Sequence, residues 1–249
     1  MNDLFGNIID RAIERLEAFE PDEGYYLAYS GGKDSDVILD LARRSGVNFD
    51  AHHHLTTCDP PELVRHVKTQ PDVEIHRPAL TMWQLIRKKK MPPRRLARYC
   101  CHTQKEGGGE GRLTLTGVRW RESHRRSQRK MVEQCYSNPT KRFLHPIIDW
   151  STSDVWTYIH QRHINYCSLY DEGFKRLGCV LCPMNRETER QMKRWPALCR
   201  AWERAIKATY GHAVEKHPGR WADPEEYWQW WLSRDAKATN DEMPLFFRD

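Results

Sequence analysis

Apolar and polar positions alternate along the first part of the chain with two different periods. Residues 3–19 repeat apolar side chains every three or four positions, which predicts an amphipathic helix. Residues 25–29 form a short run of strand-forming side chains. The helical period returns over residues 33–45 and stops near Gly46, a residue typical of helix ends. Residues 47–55 predict a second strand, so the order indicates a parallel sheet with crossover helices.

Later segments follow the same periods. Further strands are predicted at residues 73–76 and 112–118, a helix at 80–88 and an extended segment at 143–150. We therefore expect an α/β fold in which a parallel twisted sheet is flanked by helices. Residues 1–150 would form the α/β domain that contains the sheet, and residues 151–249 a helical, cysteine-containing region.

The pattern after residue 150 is mainly helical. Ser151 and Asp154 stand at the start of one helix as in a capping box, with Asp in place of the usual Glu. A later helical pattern is interrupted near Pro196. Tryptophans at helical spacing near the C-terminal end, such as Trp228 and Trp231, are interpreted as packing residues rather than as platforms for bases.

A glycine-rich turn joins the first predicted strand to its helix. Its sequence is Ser30-Gly31-Gly32-Lys33-Asp34-Ser35. A turn of this kind presents free backbone N–H groups and the positive end of a helix dipole to an anion. Glycine allows a phosphate to approach the backbone closely, and Lys33 adds a positive charge. The spacing differs from that of a Walker A loop.

Composition predicts an intracellular protein, and its modest positive charge is compatible with nucleotide or nucleic-acid partners. The chain has 249 residues, 30% of them charged, a net charge of +6 and a mean hydropathy of −0.83. No apolar run approaches the length of a membrane helix, and no signal peptide is visible, so we expect a cytoplasmic protein without a membrane partner. Basic residues cluster at 87–90, 94–95 and 119–129, which is compatible with a nucleic-acid partner.

The eight cysteines are expected to serve metal binding or catalysis rather than disulfides. Cys100, Cys101, Cys179 and Cys182 form two pairs. Adjacent cysteines fit the paired Cys-x-x-Cys pattern of zinc poorly, whereas iron–sulfur clusters accept more varied spacing. A [4Fe–4S] cluster is the first interpretation, zinc the second and buried free thiols the third. Cys58 stands apart because it lies in a loop beside the expected nucleotide site.

Three further stretches contain residue types found in binding sites. In the run from His52 to His54 only the first and third side chains share a face of a strand, so no metal site is expected there. Thr57 and Asp59 follow the second strand, where parallel sheets bind ligands, and are candidate nucleotide contacts. Asp59 could instead cap the next helix. Arg119 follows a later strand, and its planar donors suit a phosphate group.

Together these residues resemble the phosphoadenosine phosphosulfate (PAPS) reductase family, within the adenine nucleotide alpha-hydrolase-like superfamily of PP-loop enzymes. The matching stretches run in the family order over about residues 20–185. They are Ser30-Gly31-Gly32-Lys33-Asp34-Ser35, Gly117-Val118-Arg119 with Glu122-Ser123, His145-Pro146-Ile147 with Asp154-Val155-Trp156, and Gly178-Cys179 with Cys182-Pro183. The resemblance implies a Rossmann-like fold and nucleotide contacts that include Glu122 and Ser123. The four paired cysteines are similar to the [4Fe–4S] ligands of adenylylsulfate reductases and DNA-sulfur-modification proteins.

Departures from the family pattern bear on the substrate. Sulfonucleotide reductases attack the bound sulfate with a cysteine in a C-terminal Glu-Cys-Gly-Leu-His-like tail, and this sequence has no cysteine after Cys199. They also tend to degrade the Ser-Gly-Gly-Lys-Asp-Ser loop, which is intact here. The family's Asp-Thr-Gly loop is replaced by Thr56-Thr57-Cys58-Asp59. The first two departures favour ATP, cleaved between its α- and β-phosphates.

The resulting hypothesis is an ATP pyrophosphatase that adenylylates an acceptor oxygen before sulfur insertion. Ser30, Gly31, Gly32 and Ser35 would hold the β- and γ-phosphates. Lys33 and Arg119 would neutralise the negative charge that develops during the reaction, and Asp34 would help to hold Mg²⁺. The expected acceptor is nucleic acid, and the expected sulfur donor is a protein such as a cysteine desulfurase.

Three alternatives stay open, and the chain could form an oligomer in any of them. The first is a sulfonucleotide reductase, for PAPS or adenylylsulfate, that uses a remote or partner thiol. The second is an enzyme of the ATP-sulfurylase type, and the third is a nucleotide-binding module with a structural cluster.

Overall fold

The computed structural model describes residues 4–135 and 138–233. Its strands are β1 (Tyr25–Ala28), β2 (Phe49–His54), β3 (Val73–His76), β4 (Leu113–Leu115), β5 (Val132–Gln134) and β6 (Arg142–Leu144). Its helices are α1 (Leu4–Ala18), α2 (Lys33–Ser45), α3 (Pro61–Lys68), α4 (Met82–Lys89), α5 (Tyr99–Gln104), α6 (His124–Ser127), α7 (Thr152–Gln161), α8 (Thr188–Arg194), α9 (Pro196–Lys207), α10 (Tyr210–Lys216) and α11 (Pro224–Ser233), with 3-10 turns at Trp120–Glu122 and Ser168–Tyr170.

Within the described residues the strands form one sheet in the order β3-β2-β1-β4-β6-β5. Neighbouring strands from β3 to β6 run parallel, and β5 pairs with β6 in the antiparallel direction. The chain moves outwards from β1 to β3 and then returns to place β4 on the other side of β1. This arrangement confirms the predicted α/β fold, and it creates a crevice between the carboxyl ends of β1 and β4.

Internal contacts divide the chain into two compact units, each discontinuous in sequence. Unit 1 contains the described parts of residues 1–54, 61–76 and 108–177. Unit 2 contains the described parts of residues 55–60, 77–107 and 178–249. The division does not follow the expected boundary at residue 150. Helix α7 lies beyond that boundary yet contacts α2 in unit 1, and the loop that follows β2 belongs to unit 2.

The core of unit 1 lies on one face of the sheet. Leu27 in β1 and Ala51 in β2 are buried in the same apolar cluster as Leu16 of α1 and Leu39 of α2. Side chains alternate along a strand, so the even-numbered residues of β2 point to the opposite face. Helix α2 ends as predicted, because Gly46 adopts the left-handed conformation with φ of 73°.

The segment expected to be extended from 143 to 150 is a strand only as far as Leu144. Beyond it the chain turns twice, with hydrogen bonds from Ile148 N to His145 O of 3.2 Å and from Trp150 N to Ile147 O of 3.0 Å. Pro146 has no N–H group for a sheet ladder, which is why the apolar pattern does not continue the strand. That prediction was wrong over residues 145–150.

The helix that follows begins as predicted. Ser151 Oγ accepts a hydrogen bond from Asp154 N at 3.1 Å, and Asp154 Oδ2 accepts one from Ser151 N at 2.7 Å. These reciprocal bonds satisfy N–H groups that have no partner inside the helix. The capping box is therefore confirmed.

Buried tryptophans pack against one another in unit 2. Trp202 is 1% exposed and donates from Nε1 to Val180 O at 2.9 Å. Its ring stacks on Trp231, which donates to Pro93 O at 2.8 Å. Each buried indole thus has both apolar neighbours and a hydrogen-bond partner. The packing interpretation of Trp231 and Trp228, both buried, is confirmed. None of the helices in the described residues is long and apolar enough to cross a membrane.

We expect Asp149→Asn to destabilise unit 1 near neutral pH but much less in acid. Arg15 of α1 makes two hydrogen bonds of 2.8 Å to the Asp149 carboxylate. Burial alone would raise the pKa of Asp149, but the bonds and charge of Arg15 hold the pKa below its usual value. A lowered carboxyl pKa stabilises the fold above the unfolded-state pKa, and that stabilisation is lost as pH falls through the folded-state pKa.

Urea unfolding at pH 7 should show a loss of about 1–3 kcal/mol in the free energy of unfolding for Asp149→Asn. The difference from wild type should shrink steadily below about pH 4, where the unfolded chain protonates this group. Asp72→Asn is the control, because it removes an exposed ion pair with Arg43 and should cost less than about 1 kcal/mol. An Asp149→Asn effect that is equal at pH 7 and pH 3 would contradict the assignment.

Candidate functional site

The glycine-rich turn lies in unit 1 at the carboxyl end of β1, where the strand order reverses. Gly31 has φ of 75°, and a Cβ atom there would lie 2.7 Å from Val67 Cγ2. Only glycine therefore fits without strain at this position. Gly32 immediately precedes α2, so the positive end of the α2 dipole lies at this crevice. The predicted turn between strand and helix is present.

Two hydroxyl groups of the turn face one another. Ser30 Oγ lies 3.1 Å from Ser35 Oγ, and Ser35 Oγ donates to Gly32 O at 2.7 Å. Ser30 Oγ also accepts from Gly32 N at 3.4 Å. These bonds hold the turn in one conformation. The residues from Ser30 to Ser35 that were predicted to bind a nucleotide are thus brought together.

The three predicted catalytic side chains meet at the same turn. Asp34 Oδ2 accepts from Lys33 Nζ at 2.8 Å, and Asp34 Oδ1 accepts from Arg119 Nε at 2.8 Å. Arg119 is 2% exposed and is anchored to Trp150 O at 3.2 Å. The group carries two positive charges and one negative charge beside the N-terminus of α2. Its net charge favours an anion.

Gly117 explains why Arg119 reaches the turn. β4 pairs with β1, so the loop that follows β4 runs beside the turn. A Cβ atom on Gly117 would lie 2.9 Å from Asp34 Cβ and 3.0 Å from the Asp34 backbone carbonyl. The absence of a side chain at residue 117 therefore permits close packing of the two loops.

Tyr170 also contributes to this turn, and sequence reasoning missed it. Its hydroxyl oxygen accepts a hydrogen bond from Lys33 N at 3.0 Å, and Lys33 Nζ lies 5.8 Å from its ring centroid. The phenol thus satisfies one of the first-turn donors of α2. Tyr170 lies 137 positions from Lys33 in sequence, and no local pattern around it signals the contact.

A buried, hydrogen-bonded group of Tyr29, Asp36 and His66 links the two sides of the glycine-rich turn. Asp36 Oδ1 accepts from His66 Nε2 at 2.9 Å and also bonds to the hydroxyl of Tyr29. Burial raises the pKa of Tyr29 and also the pKa of Asp36. Because Tyr29 and Asp36 flank the turn on either side in sequence, their bond ties the end of β1 to the first turns of α2.

Glu122 and Ser123, the remaining predicted nucleotide contacts of unit 1, are engaged in local structure. Glu122 Oε2 accepts from Arg119 N at 3.0 Å and forms an ion pair with Arg126. Ser123 Oγ caps α6 by accepting from Arg126 N at 3.3 Å. Both residues shape the loop that carries Arg119, and a direct contact with a nucleotide stays a prediction.

The four predicted metal ligands all belong to unit 2. Cys100 and Cys101 lie in the first turn of α5. Cys179 and Cys182 flank a tight turn in which Leu181 adopts a left-handed φ of 54° and Cys182 N donates to Cys179 O at 3.2 Å. The thiols of the two pairs lie close enough to influence one another electrostatically. Sequence reasoning therefore paired segments that the fold brings together.

Cys58 also lies beside these four thiols and is fully buried. Its backbone O accepts from Val180 N at 2.8 Å, and Thr56 Oγ1 lies 3.3 Å from Cys58 Sγ and 3.4 Å from Cys179 Sγ. A hydrogen bond from Cys58 lowers the pKa of the Cys179 thiol below its usual value, whereas burial raises the pKa of Cys58. A thiolate at Cys179 suits a metal ligand.

Thr57 and Asp59, the predicted nucleotide contacts of unit 2, have local partners. Thr57 Oγ1 accepts from Met82 N at 2.9 Å, at the start of α4. Asp59 Oδ2 accepts from Thr56 N at 2.7 Å, and Lys105 Nζ lies 3.8 Å from Asp59 Oδ1. Lys105 also bonds to Cys179, a cation near the thiols that sequence reasoning missed although it stands four positions after Cys101. Nucleotide contacts from Thr57 and Asp59 stay predictions.

Comparison with known proteins identifies the family. The model of the phosphoadenosine phosphosulfate reductase domain matches residues 24–185. An uncharacterized protein of Methanocaldococcus jannaschii is 27% identical over 224 residues, which are 82% of this chain and 45% of that protein. The chain therefore spans about half the length of this relative. An adenosine 5'-phosphosulfate reductase of Anoxybacillus flavithermus is 28% identical over 192 residues, 69% of this chain and 78% of the reductase.

Solved structures show the same fold. The phosphoadenylyl-sulfate (PAPS) reductase of Candida auris superposes with a TM-score of 0.51 at 20% identity, over 72% of this chain and 95% of that one. Its likeness extends the sequence match to the arrangement of the sheet and its helices. By the match over residues 24–185, the chain belongs to the phosphoadenosine phosphosulfate reductase domain family.

Proposed function

We propose that this chain is an enzyme that acts at the phosphate end of an adenine nucleotide, and that its first candidate activity is reduction of a sulfonucleotide such as adenosine 5'-phosphosulfate. The observation that carries the proposal is the group formed by Lys33, Asp34 and Arg119 at the N-terminus of α2. Several relatives named adenosine 5'-phosphosulfate reductase support the choice of substrate class.

In such a reaction a thiolate attacks the sulfur of the bound sulfate group. The bond between that sulfur and the bridging oxygen breaks, and AMP leaves with the electron pair. A second thiol then attacks the S-sulfocysteine, which releases sulfite and forms a disulfide, so the dithiol is oxidised by two electrons. We assign the dithiol to a partner protein of the thioredoxin class. Lys33 and Arg119 would stabilise the charge that grows on the AMP phosphate as it leaves.

The second candidate is ATP-dependent adenylylation, and the intact turn favours it. Gly31 keeps its left-handed conformation, and the Ser30 and Ser35 hydroxyls lie 3.1 Å apart beside the N-terminus of α2, where a pyrophosphate group would accept hydrogen bonds from them. An acceptor oxygen would attack the α-phosphorus, pyrophosphate would leave, and a sulfur nucleophile would then displace AMP. The acceptor would be nucleic acid and the donor a protein such as a cysteine desulfurase. Mg²⁺ would accompany ATP, with Asp34 helping to hold it.

The thiol group of unit 2 is proposed to hold a [4Fe–4S] cluster through Cys100, Cys101, Cys179 and Cys182. Four cysteine thiolates are the usual ligand set of such a cluster. Cys100 and Cys101 lie in the first turn of α5, and Cys179 and Cys182 flank a tight turn of the same unit, so two short segments supply the four ligands. When bound, the cluster would supply a fixed charge distribution beside Lys105.

The test is an anaerobic assay of the full chain with each substrate. Adenosine 5'-phosphosulfate with a thioredoxin-type reductant should release sulfite and AMP if the first candidate holds. ATP, Mg²⁺, nucleic acid and a sulfur donor should release AMP and pyrophosphate if the second holds, whereas a sulfurylase would convert ATP and sulfate to adenosine 5'-phosphosulfate and pyrophosphate. Saturable nucleotide binding without turnover would leave a binding module. Release of ADP and phosphate would contradict the reductase, the adenylylating enzyme and the sulfurylase alike.

Lys33→Met is expected to lower the rate of whichever reaction occurs by about 10²–10³-fold, because it removes one charged donor from the site of developing charge. The side chain of Lys33 is 9% exposed and bonds to Asp34, so its loss acts at the turn. Lys175→Met, at an exposed position of the same unit, is the matched control and should leave the rate unchanged. Equal rates for Lys33→Met and Lys175→Met would show that Lys33 takes no part in the reaction.

A further inference from the structure

A second cluster of ligand-type side chains lies in unit 1, on the sheet face opposite the apolar core. β2 and β3 are parallel neighbours, with His52 in register with Glu74 and His54 with His76. The histidine run in β2 was expected not to bind a metal because only two of its rings share a face. That expectation considered one strand alone, whereas β3 adds Glu74 and His76 to the same face.

Three potential ligand atoms converge at this place. His52 Nδ1 lies 2.8 Å from His76 Nε2 and 3.5 Å from Glu74 Oε2. One ligand atom from each of the three residues falls within 4.8 Å of the others. Metal–ligand bonds of about 2.0–2.1 Å at tetrahedral angles place ligand atoms about 3.4 Å apart. The observed separations lie on either side of this value, so small side-chain rotations would suffice for one ion.

A carboxylate outside the group orients His52. His52 Nε2 lies 2.5 Å from Asp50 Oδ2, and Arg112 Nη1 donates to the same oxygen at 2.6 Å. An ionised carboxylate only accepts hydrogen bonds, so the Nε2 atom of His52 carries the proton and Nδ1 presents its lone pair to His76 and Glu74. Metal-binding histidines are commonly oriented in this way by a carboxylate behind the ring. This contact is independent of the spacing of the three ligand atoms.

A neighbouring histidine holds the second imidazole in place. His54 stacks on the His76 ring with centroids 4.6 Å apart, and its Nε2 lies 2.8 Å from the Tyr26 hydroxyl oxygen. His54 is thus engaged in packing and hydrogen bonding and is not a ligand here. The His52 side chain is 12% exposed, that of His76 33% and that of Glu74 67%, so the group is open to solvent on the Glu74 side.

We propose that His52, Glu74 and His76 bind one divalent transition-metal ion, with zinc as the expected ion, at a position distinct from the four cysteines. Two imidazoles and one carboxylate form a ligand set that zinc uses in sites where a fourth position holds water. Without metal, the Nε2–H group of His76 donates a hydrogen bond to the lone pair of His52 Nδ1. On binding, the ion replaces that proton, which is released to solvent or moves to His76 Nδ1.

The test compares zinc binding by the full chain and by variants of two of the ligands, His76→Ala and Glu74→Gln. Because the cysteines are present in all of these proteins, any zinc they bind cancels in the comparison. We expect wild type to retain one more equivalent of zinc than His76→Ala, measured as metal content after equilibrium with a competing chelator. Asp50→Asn, which removes only the orienting carboxylate, should weaken binding by about 10–100-fold.

The matched control is His160→Ala, which removes an exposed histidine from α7 in the same unit. It should bind as much zinc as wild type. A second measurement protects the test against misfolded variants: in the wild-type chain, zinc added beyond the amount that the cysteines bind should shift the imidazole NMR signals of His52 and His76. Equal zinc content in wild type and His76→Ala, or unmoved imidazole signals at saturating zinc, would overturn the proposal.

Discussion

Replacing Cys179 by serine is expected to abolish the broad visible absorbance of anaerobically purified protein and most of its bound iron. Cys179 is one of the four proposed cluster ligands, and its thiol pKa is lowered by the hydrogen bond from Cys58, which favours the thiolate that binds metal. A serine hydroxyl has a far higher pKa and is a poor ligand for iron in this setting. The measurement is the ultraviolet–visible spectrum together with iron and sulfide analysis.

Cys135→Ser provides the matched control for this loss. Cys135 belongs to unit 1, outside the thiol group of unit 2, so its replacement should leave both colour and iron content unchanged. The cluster assignment would not survive a colourless wild-type protein that carries zinc in place of iron. It would also fail if Cys179→Ser and Cys135→Ser retained equal amounts of iron.

Gly117→Ala is expected to weaken nucleotide binding by at least about tenfold, or 1.4 kcal/mol. The added Cβ would lie 2.9 Å from Asp34 Cβ and 3.0 Å from the Asp34 carbonyl carbon and oxygen. A backbone neighbour cannot rotate away, so the first turn of α2 or the loop that carries Arg119 must shift. Either shift separates Arg119 from Asp34, whose 2.8 Å contact organises the turn. Titration of AMP or ATP against the purified protein measures the change.

Gly211→Ala is the control for this substitution. Gly211 has no atom within 4 Å of the position that its Cβ would occupy and lies in a helix, where alanine is favourable. It should bind nucleotide as wild type does. Urea unfolding distinguishes a local shift from general destabilisation of Gly117→Ala. Unchanged affinity in a folded Gly117→Ala protein would separate this loop from nucleotide binding.

Short-range features of this protein were predictable, because their signals lie within a few residues. The turn after β1 and the capping box at Ser151 were both found from local patterns and are present. The extended prediction for residues 145–150 failed for a related reason. An apolar pattern does not distinguish a strand from a buried turn. Pro146 ends the strand because it has no backbone N–H group to donate to the sheet.

The sequence by itself determined the family, the phosphate-sized turn and the four paired cysteines. Each rests on residues close together in the chain, where spacing constrains the backbone directly. Only the tertiary structure decided that Arg119 bonds to Asp34 and that Tyr170 accepts a hydrogen bond from Lys33 N. It also decided that β3 places Glu74 and His76 beside His52. These contacts depend on strand order and register, which bring together residues that no local period relates. For the glycine-rich turn, which the sequence already marked as a candidate site, the tertiary structure adds the contacts made by Arg119 and Tyr170.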